Sequence, residues 1–115
     1  MKHTESTLQK RCVNWFRLNY PKHLRLIAIP NGGARNAITG AILKGEGVVA
    51  GAPDLFLFHA AQGFHGLAIE MKSRIGKQSE SQKAFEADID IEGYKYVVCR
   101  SFEEFQAVVN EYFKK

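Results

Sequence analysis

The chain has 115 residues and a formal net charge of +4, with 45% hydrophobic and 24% charged residues. This length is typical of one domain, and the composition is that of an ordinary globular protein, which excludes a fibrous or largely disordered chain. Its apolar runs are too short for a membrane span, and the N-terminus lacks the apolar stretch of a signal peptide. We therefore expect a single cytoplasmic domain over residues 1–115.

The predicted elements alternate between helices and strands. In chain order they are a helix over Thr4–Asn19, a strand over Leu24–Ile29, a short helix over Ala34–Lys44, strands over Asp54–Phe58 and Phe64–Lys72, a helix over Ser79–Ile91, a strand over Tyr94–Cys99 and a final helix that begins at Ser101. The two central strands are joined by a short turn, which predicts an antiparallel hairpin. This order predicts an α/β fold with a central mixed β-sheet flanked by helices.

Two of these helices begin with a serine that precedes a glutamine or glutamate by three residues. The pairs are Ser79 with Gln82 and Ser101 with Glu104. In a capping box the serine hydroxyl accepts from the third helical N–H, and the longer side chain accepts from the serine N–H. We expect both helices to begin with this arrangement.

The positive charge is concentrated in the first three quarters of the chain. Residues 1–85 contain twelve basic and five acidic side chains, whereas residues 86–115 contain four basic and seven acidic ones. Such a distribution favours a basic surface that attracts a polyanion such as nucleic acid. The two cysteines, Cys12 and Cys99, lie in apolar segments without CxxC spacing, so we expect buried free thiols and neither a disulfide nor a zinc site.

Three charged residues of the hairpin point to a chemical site. Side chains alternate along a strand, so Glu70 and Lys72 share one face while Met71 points to the other. The start of the first strand lies beside the end of the second in an antiparallel pair, which places Asp54 next to them. We therefore expect two carboxylates and one ammonium group at the same end of the sheet.

This combination of groups suits the hydrolysis of phosphodiester bonds. One or two carboxylates bind Mg²⁺, whose remaining ligands are water and substrate phosphate, and a nearby lysine neutralises developing negative charge. On an exposed strand, however, an E-x-K tripeptide would be only an ion pair worth less than about 1 kcal/mol. The functional interpretation is favoured because the chain has a single E-x-K and a single P-D, both in the hairpin.

A further acidic residue lies on the predicted first helix. At 100° per residue, Glu5 falls about 20° from Cys12 and about 20° from Phe16 on the apolar stripe. A buried carboxylate is costly without a partner, so a metal or a basic group is expected near Glu5. The alternative is that Glu5 only interacts favourably with the helix dipole. We expect Trp15 and Phe16 of the same helix to belong to the core.

These segments together resemble a known nuclease family. The segments are Gly51–Leu55 (GAPDL), Ile69–Lys72 (IEMK) and Gly76–Gln82 (GKQSESQ). They resemble the VRR-NUC domain, the virus-type replication-repair nuclease of the PD-(D/E)xK superfamily, and with Glu5 the resemblance covers nearly the whole chain. It implies a restriction-endonuclease-like core.

The resemblance also implies roles for individual residues. It implies that Asp54 and Glu70 bind Mg²⁺ or Mn²⁺, with the backbone carbonyl of Met71 as a further ligand, and that Lys72 is the catalytic lysine. It implies that Glu5 reaches the metal through water. Gln82 matches the glutamine of the helix behind the active strand, although the capping box explains it equally well.

The same resemblance implies a substrate and an assembly. Stand-alone members resemble Holliday-junction resolvases, so we expect a metal-dependent, structure-specific DNA endonuclease that acts on four-way junctions as a homodimer. The alternatives are a monomeric flap or nicking endonuclease and a non-catalytic nucleic-acid-binding module. Arg35, Arg74 and Lys77 either contact DNA phosphates or are ordinary solvated charges.

Overall fold

The computed structural model describes residues 3–30 and 37–115. Its elements are α1 (His3–Asn19), β1 (Leu26–Ala28), α2 (Ala37–Gly45), β2 (Leu55–Leu57), β3 (Leu67–Met71), α3 (Glu80–Ile91), β4 (Lys95–Cys99) and α4 (Phe102–Tyr112). The predicted order of helices and strands is confirmed. The first three strands are shorter than predicted, and α2 begins within the predicted helix, whose first residues lie outside the described part of the chain.

The four strands form one mixed sheet in the order β1-β2-β3-β4. Strand β2 is antiparallel to both β1 and β3, whereas β3 and β4 are parallel. The predicted hairpin is confirmed by the register, in which Leu55 pairs with Ile69 and Leu57 with Leu67. Two adjacent parallel strands need a crossover connection, and α3 supplies it between β3 and β4.

The hydrophobic core lies between one face of the sheet and helices α1 and α4. Along β2 and β3, its side chains alternate with side chains that point to the opposite face of the sheet. The buried residues of this core are Cys12, Phe16, Leu55, Leu57, Leu67, Ile69, Met71, Cys99, Phe105, Val109 and Tyr112. Both cysteines are buried and free, as expected. Trp15 packs edge-on against Phe102 and Phe105 and therefore belongs to the core margin, as expected.

The second face of the sheet is covered by α3. Phe85 and Ile89 of this helix line an apolar recess together with Phe56 and Ala68 of the sheet. Because Glu70 is two residues beyond Ala68 on β3, its side chain faces the same side as α3. The sheet alternation thus places Met71 in the core and Glu70 beneath the start of α3.

The two predicted capping boxes differ in the structure. At α3 both halves form, since the Gln82 N–H donates to Ser79 Oγ at 3.2 Å and the Ser79 N–H donates to Gln82 Oε1 at 2.8 Å. At α4 the Glu104 N–H donates to Ser101 Oγ at 3.0 Å, but Glu104 Oε1 accepts from the backbone N–H of Arg100 at 2.6 Å. The second box is therefore only half correct. Strand β4 ends at Cys99, so the backbone N–H of Arg100 lies beyond the β-ladder and donates to the Glu104 carboxylate instead.

Gly51 lets the loop before Asp54 approach the first turn of α3. Its φ is +90°, and a Cβ atom at this position would overlap the backbone carbonyl oxygen of Ser81. Only glycine tolerates both the positive φ and the close contact. The approach brings the start of β2 and the start of α3 to the same end of the sheet.

Candidate active site

A cleft of about 360 Å³ opens at the end of the sheet where β2 begins and β3 ends. Polar side chains from α1, the loop before β2, β3 and α3 line it; they are Glu5, Gln9, Asp54, Glu70, Lys72 and Gln82. The structure therefore brings together all five side chains that the sequence analysis assigned to the site. Met71 contributes no side chain, because that side chain is buried in the core on the opposite face.

Asp54 and Glu70 are buried carboxylates with fixed orientations. Asp54 is 8% exposed and Glu70 is 2% exposed. Asp54 Oδ2 accepts from the backbone N–H of Met71 at 2.7 Å. Glu70 Oε2 accepts from Gln82 Nε2 and Glu70 Oε1 from the Tyr96 hydroxyl, both at 3.0 Å. Each carboxylate is therefore oriented by donors from a neighbouring element.

The closeness of these two carboxylates changes the ionisation of Glu70. Burial, and after it the negative charge and hydrogen bonding of Asp54, raise the pKa of Glu70 to about 8. The Tyr96 hydroxyl and the charge of Lys72 act in the opposite direction and lower this pKa. Two carboxylates held together in a buried position repel each other, and a cation between them would offset this repulsion.

This donor set fits a hard divalent cation. Mg²⁺ is commonly bound by one or two carboxylates and keeps water or substrate phosphate as its other ligands. Within the described part of the chain, no group of three or more His, Cys, Asp or Glu residues is positioned to hold a metal. Glu5 therefore lines the cleft without completing a set of direct carboxylate ligands. The site therefore fits a divalent cation held by two carboxylates, whose other ligands would be oxygens of water and substrate.

Gln82 performs the two roles that the sequence left as alternatives. Its amide oxygen accepts from the Ser79 N–H in the capping box, and its amide nitrogen donates to Glu70. A backbone N–H requires an acceptor, so the cap forces the oxygen toward Ser79 and the NH₂ group toward Glu70. The helix cap thus orients a hydrogen-bond donor of the site.

Lys72 lines the cleft and has no ionic partner among the described residues. Its backbone N–H donates to the Cys99 carbonyl at 3.0 Å, which fixes the residue at the end of the sheet. Its aliphatic stem passes Gly76, where an added Cβ would lie 3.5 Å from Lys72 Cδ. Lys72 takes part in no salt bridge within the described residues. The ammonium group is therefore available to an anionic substrate.

Two polar residues of the site, Tyr96 and Gln9, are not among those predicted from the sequence. Tyr96 pairs with Ala68 in the parallel register of β3 and β4, so it lies diagonally next to Glu70 on the same face. Gln9 follows Glu5 by four residues on α1, and its buried Oε1 has no hydrogen-bond partner within the described residues. The i, i+4 spacing from Glu5 predicts that Gln9 lies on the same face of α1. The position of Tyr96 next to Glu70 depends on a strand register that the sequence does not reveal.

Two of the basic residues predicted to contact DNA, Arg74 and Lys77, are not among the described residues that line the cleft. Arg74 and Lys77 are exposed in the loop that follows β3. Arg100 supports this loop, since its Nη1 donates to the carbonyl oxygen of Ser73 at 2.8 Å and also to that of Gly76. Arg35 lies outside the described residues. No helix in ranges 3–30 and 37–115 has the length and apolarity needed to cross a membrane.

Comparisons with known proteins identify a family. The family model of the VRR-NUC domain matches residues 1–103. A solved structure described as a VRR_NUC domain protein is 27% identical with a TM-score of 0.83, and the alignment covers 98% of this chain and 90% of that chain. A second, described as a VRR_NUC domain, is 17% identical with a TM-score of 0.63 over 95% of this chain and 97% of that one, which supports the fold alone. No curated protein matches the chain. The chain therefore belongs to the VRR-NUC family and is a nuclease of the PD-(D/E)xK type, with DNA as its substrate.

Proposed function

We propose that the protein is a Mg²⁺- or Mn²⁺-dependent endonuclease that hydrolyses phosphodiester bonds in branched DNA. The observation that carries this proposal is that two buried carboxylates, Asp54 and Glu70, line one open cleft together with Lys72, which forms no salt bridge with any described residue. A binding module would have no use for two mutually repelling buried carboxylates. A nuclease uses them to hold a cation against the phosphate.

Each side chain has a distinct part in the proposed mechanism. A divalent cation bound by Asp54 and Glu70, with the Met71 carbonyl as a further ligand, would supply Lewis-acid stabilisation and lower the pKa of a bound water. Lys72 donates a hydrogen bond to a phosphate oxygen and neutralises the charge that grows there. Glu5 accepts hydrogen bonds from water in the cleft, which orients that water.

The hydrolysis itself breaks one ester bond of the phosphate. The oxygen of a water molecule bonds to phosphorus and that water releases one proton to solvent. The bond between phosphorus and one ester oxygen breaks, and the released oxygen takes up a proton from solvent. Gln82 and Tyr96 act on this reaction indirectly by holding the two oxygens of Glu70. We assign contacts with the flanking DNA phosphates to Arg35, Arg74 and Lys77.

We also propose that the enzyme cuts four-way junctions as a homodimer. A chain of 115 residues with one such cleft supplies one active site, whereas paired cuts in two strands require two sites. A two-fold axis between identical subunits would relate these sites to the symmetric arms of a junction.

The decisive experiment compares a four-way junction, a flap and a linear duplex, each incubated with Mg²⁺, with Mn²⁺ or with EDTA. We expect cleavage of the junction with either metal and none with EDTA, together with a dimer mass in light scattering. The absence of cleavage on all three substrates with metal would overturn the nuclease mechanism. Cleavage of the flap alone by a monomer would instead identify a flap endonuclease.

Substitution of Gln82 separates its two roles. In Gln82→Glu the carboxylate can still accept from the Ser79 N–H, so the helix cap and the folded structure seen by circular dichroism should be kept. The second oxygen of the new carboxylate would then face Glu70, which loses its donor and gains a like charge. We expect the single-turnover cleavage rate to fall about 10- to 100-fold, the usual effect of disturbing a residue that orients a metal ligand.

Two further variants serve as controls for Gln82. Gln82→Ala removes both contacts and should lower the melting temperature as well as the cleavage rate. Gln106→Glu introduces the same charge change on α4 and should leave the cleavage rate unchanged. If Gln82→Glu cleaves DNA as fast as the unaltered protein, the proposed role of the Gln82 amide is wrong.

A further inference from the structure

A second cleft, of about 430 Å³, lies at the opposite end of α1 from the active site. Its wall includes three basic side chains, Arg17 from the last turn of α1, Lys22 from the following turn and Arg25 just before β1. None of the described residues that line this cleft is acidic. We call it the basic cleft.

The three basic side chains of this cleft are free to bind an external anion. All three residues are exposed, and none forms a salt bridge within the described residues. Three unneutralised cations close together repel one another and carry bound counterions. A polyanion that releases those counterions therefore binds such a surface favourably.

Helix α1 and the β1 segment contribute residues to both the basic cleft and the active-site cleft. Glu5 and Gln9 of α1 line the active-site cleft, whereas Arg17 lines the basic cleft. In the β1 segment, Ile29 lines the active-site cleft and Ile27 lines the basic cleft. Glu5 and Arg17 are twelve residues apart on one helix, so the two clefts are separated by about 18 Å along α1.

We propose that the basic cleft binds the phosphate backbone of a DNA arm that extends along α1 from the cleaved bond. A distance of about 18 Å corresponds to about five base pairs at 3.4 Å per step. The inference rests on the proposed function, because it assumes that a phosphodiester lies at Asp54, Glu70 and Lys72. It adds a second anchoring point, which makes binding depend on the length of the arm.

The test measures DNA affinity in EDTA as a function of salt for a double variant, Lys22→Ala with Arg25→Ala. A matched variant, Lys83→Ala with Lys95→Ala, removes the same charge from α3 and β4, and neither of these lysines lines the basic cleft. We expect the first variant to bind at least about tenfold more weakly and its salt slope to fall by about 2, since each lost phosphate contact contributes about 0.9. The matched variant should change both quantities much less.

A second measurement varies the length of the DNA arm. Shortening one arm from about ten to about three base pairs should weaken binding to the unaltered protein, because the arm no longer reaches the basic cleft. The same shortening should have little effect on the Lys22→Ala, Arg25→Ala variant. Circular dichroism should show both variants folded, since all the substituted cleft residues are exposed.

The outcomes distinguish this inference from the proposed function. If the two double variants lose affinity equally, or if arm length affects them equally, the basic cleft is not a DNA contact. In that case cleavage with Mg²⁺ by the unaltered protein would still support the nuclease mechanism. If no DNA is cleaved under any condition but the basic cleft still controls affinity, the proposed catalysis fails and the contact stands.

Discussion

Lys72→Ala should reduce the single-turnover rate of DNA cleavage about 100- to 1000-fold while leaving the fold and the DNA affinity nearly intact. The expected loss is that of one preorganised charged donor aimed at a developing negative charge. The fold should persist because Lys72 is held by its backbone bond to Cys99, which alanine retains, and because it takes part in no described salt bridge. Rapid-quench cleavage and a filter-binding assay in EDTA separate the two quantities.

Two lysine variants define the specificity of this effect. Lys83→Ala removes an exposed lysine of α3 whose only described ionic partner is Glu80, so the cleavage rate should be unchanged. Lys72→Arg keeps the charge but replaces a compact ammonium with a planar fork, and partial activity is expected. A Lys72→Ala enzyme that cleaves at the unaltered rate would exclude Lys72 from the reaction.

The sequence predicts that three charged residues meet at one end of the sheet, because this depends only on local rules. These residues are Asp54, Glu70 and Lys72. Alternation along β3 fixes which residues share a face, and a short turn forces the hairpin to be antiparallel. Both rules act within about twenty residues of chain, where turn geometry leaves few alternatives. In the observed register Leu55 pairs with Ile69, so the start of β2 lies beside the end of β3, as these rules require.

The donors around Glu70 could not all be predicted, because some depend on contacts between distant segments. Tyr96 reaches Glu70 only through the parallel register of β4, which the packing of α3 sets and no local signal reveals. The second capping box fails in part for a related reason. The end of β4 leaves the Arg100 N–H without a ladder partner, and Glu104 accepts from it instead of from Ser101.

Gln82 shows why local and functional interpretations of one residue need not compete. The capping box is a local signal, and the contact with Glu70 is a tertiary one, yet a single amide group satisfies both. Because its two ends differ chemically, the cap also determines which end faces the carboxylate. Gly51 contributes to this coupling by letting the loop before Asp54 press against the same helical turn.

Glu70→Gln should reduce the rate of DNA cleavage about a thousandfold. It should also make the metal-free protein more stable above neutral pH. The lost carboxylate removes one of two proposed metal ligands. In the unaltered protein, burial and the neighbouring Asp54 raise the pKa of Glu70 to about 8. The folded state therefore holds this proton more tightly than the unfolded state, and the free energy of unfolding falls as pH rises from about 5 to about 8.

The isosteric glutamine removes this dependence and keeps the local hydrogen bonds. Its oxygen can accept from Gln82 and its nitrogen can donate to the Tyr96 hydroxyl. Thermal melts in EDTA should therefore show a smaller loss of stability between pH 5.5 and pH 8.5 than in the unaltered protein.

Metal should then distinguish the two proteins, because only a folded state that binds the ion is stabilised by it. We expect Mg²⁺ or Mn²⁺ to raise the melting temperature of the unaltered protein above neutral pH and to leave Glu70→Gln unchanged. Glu46→Gln, which changes an exposed glutamate, should behave like the unaltered protein in melts and in cleavage. If the stability of Glu70→Gln depends on pH as strongly as that of the unaltered protein, the repulsion between Asp54 and Glu70 is not the origin of that dependence. If metal raises the melting temperatures of both proteins equally, Glu70 is not part of the proposed ligand set.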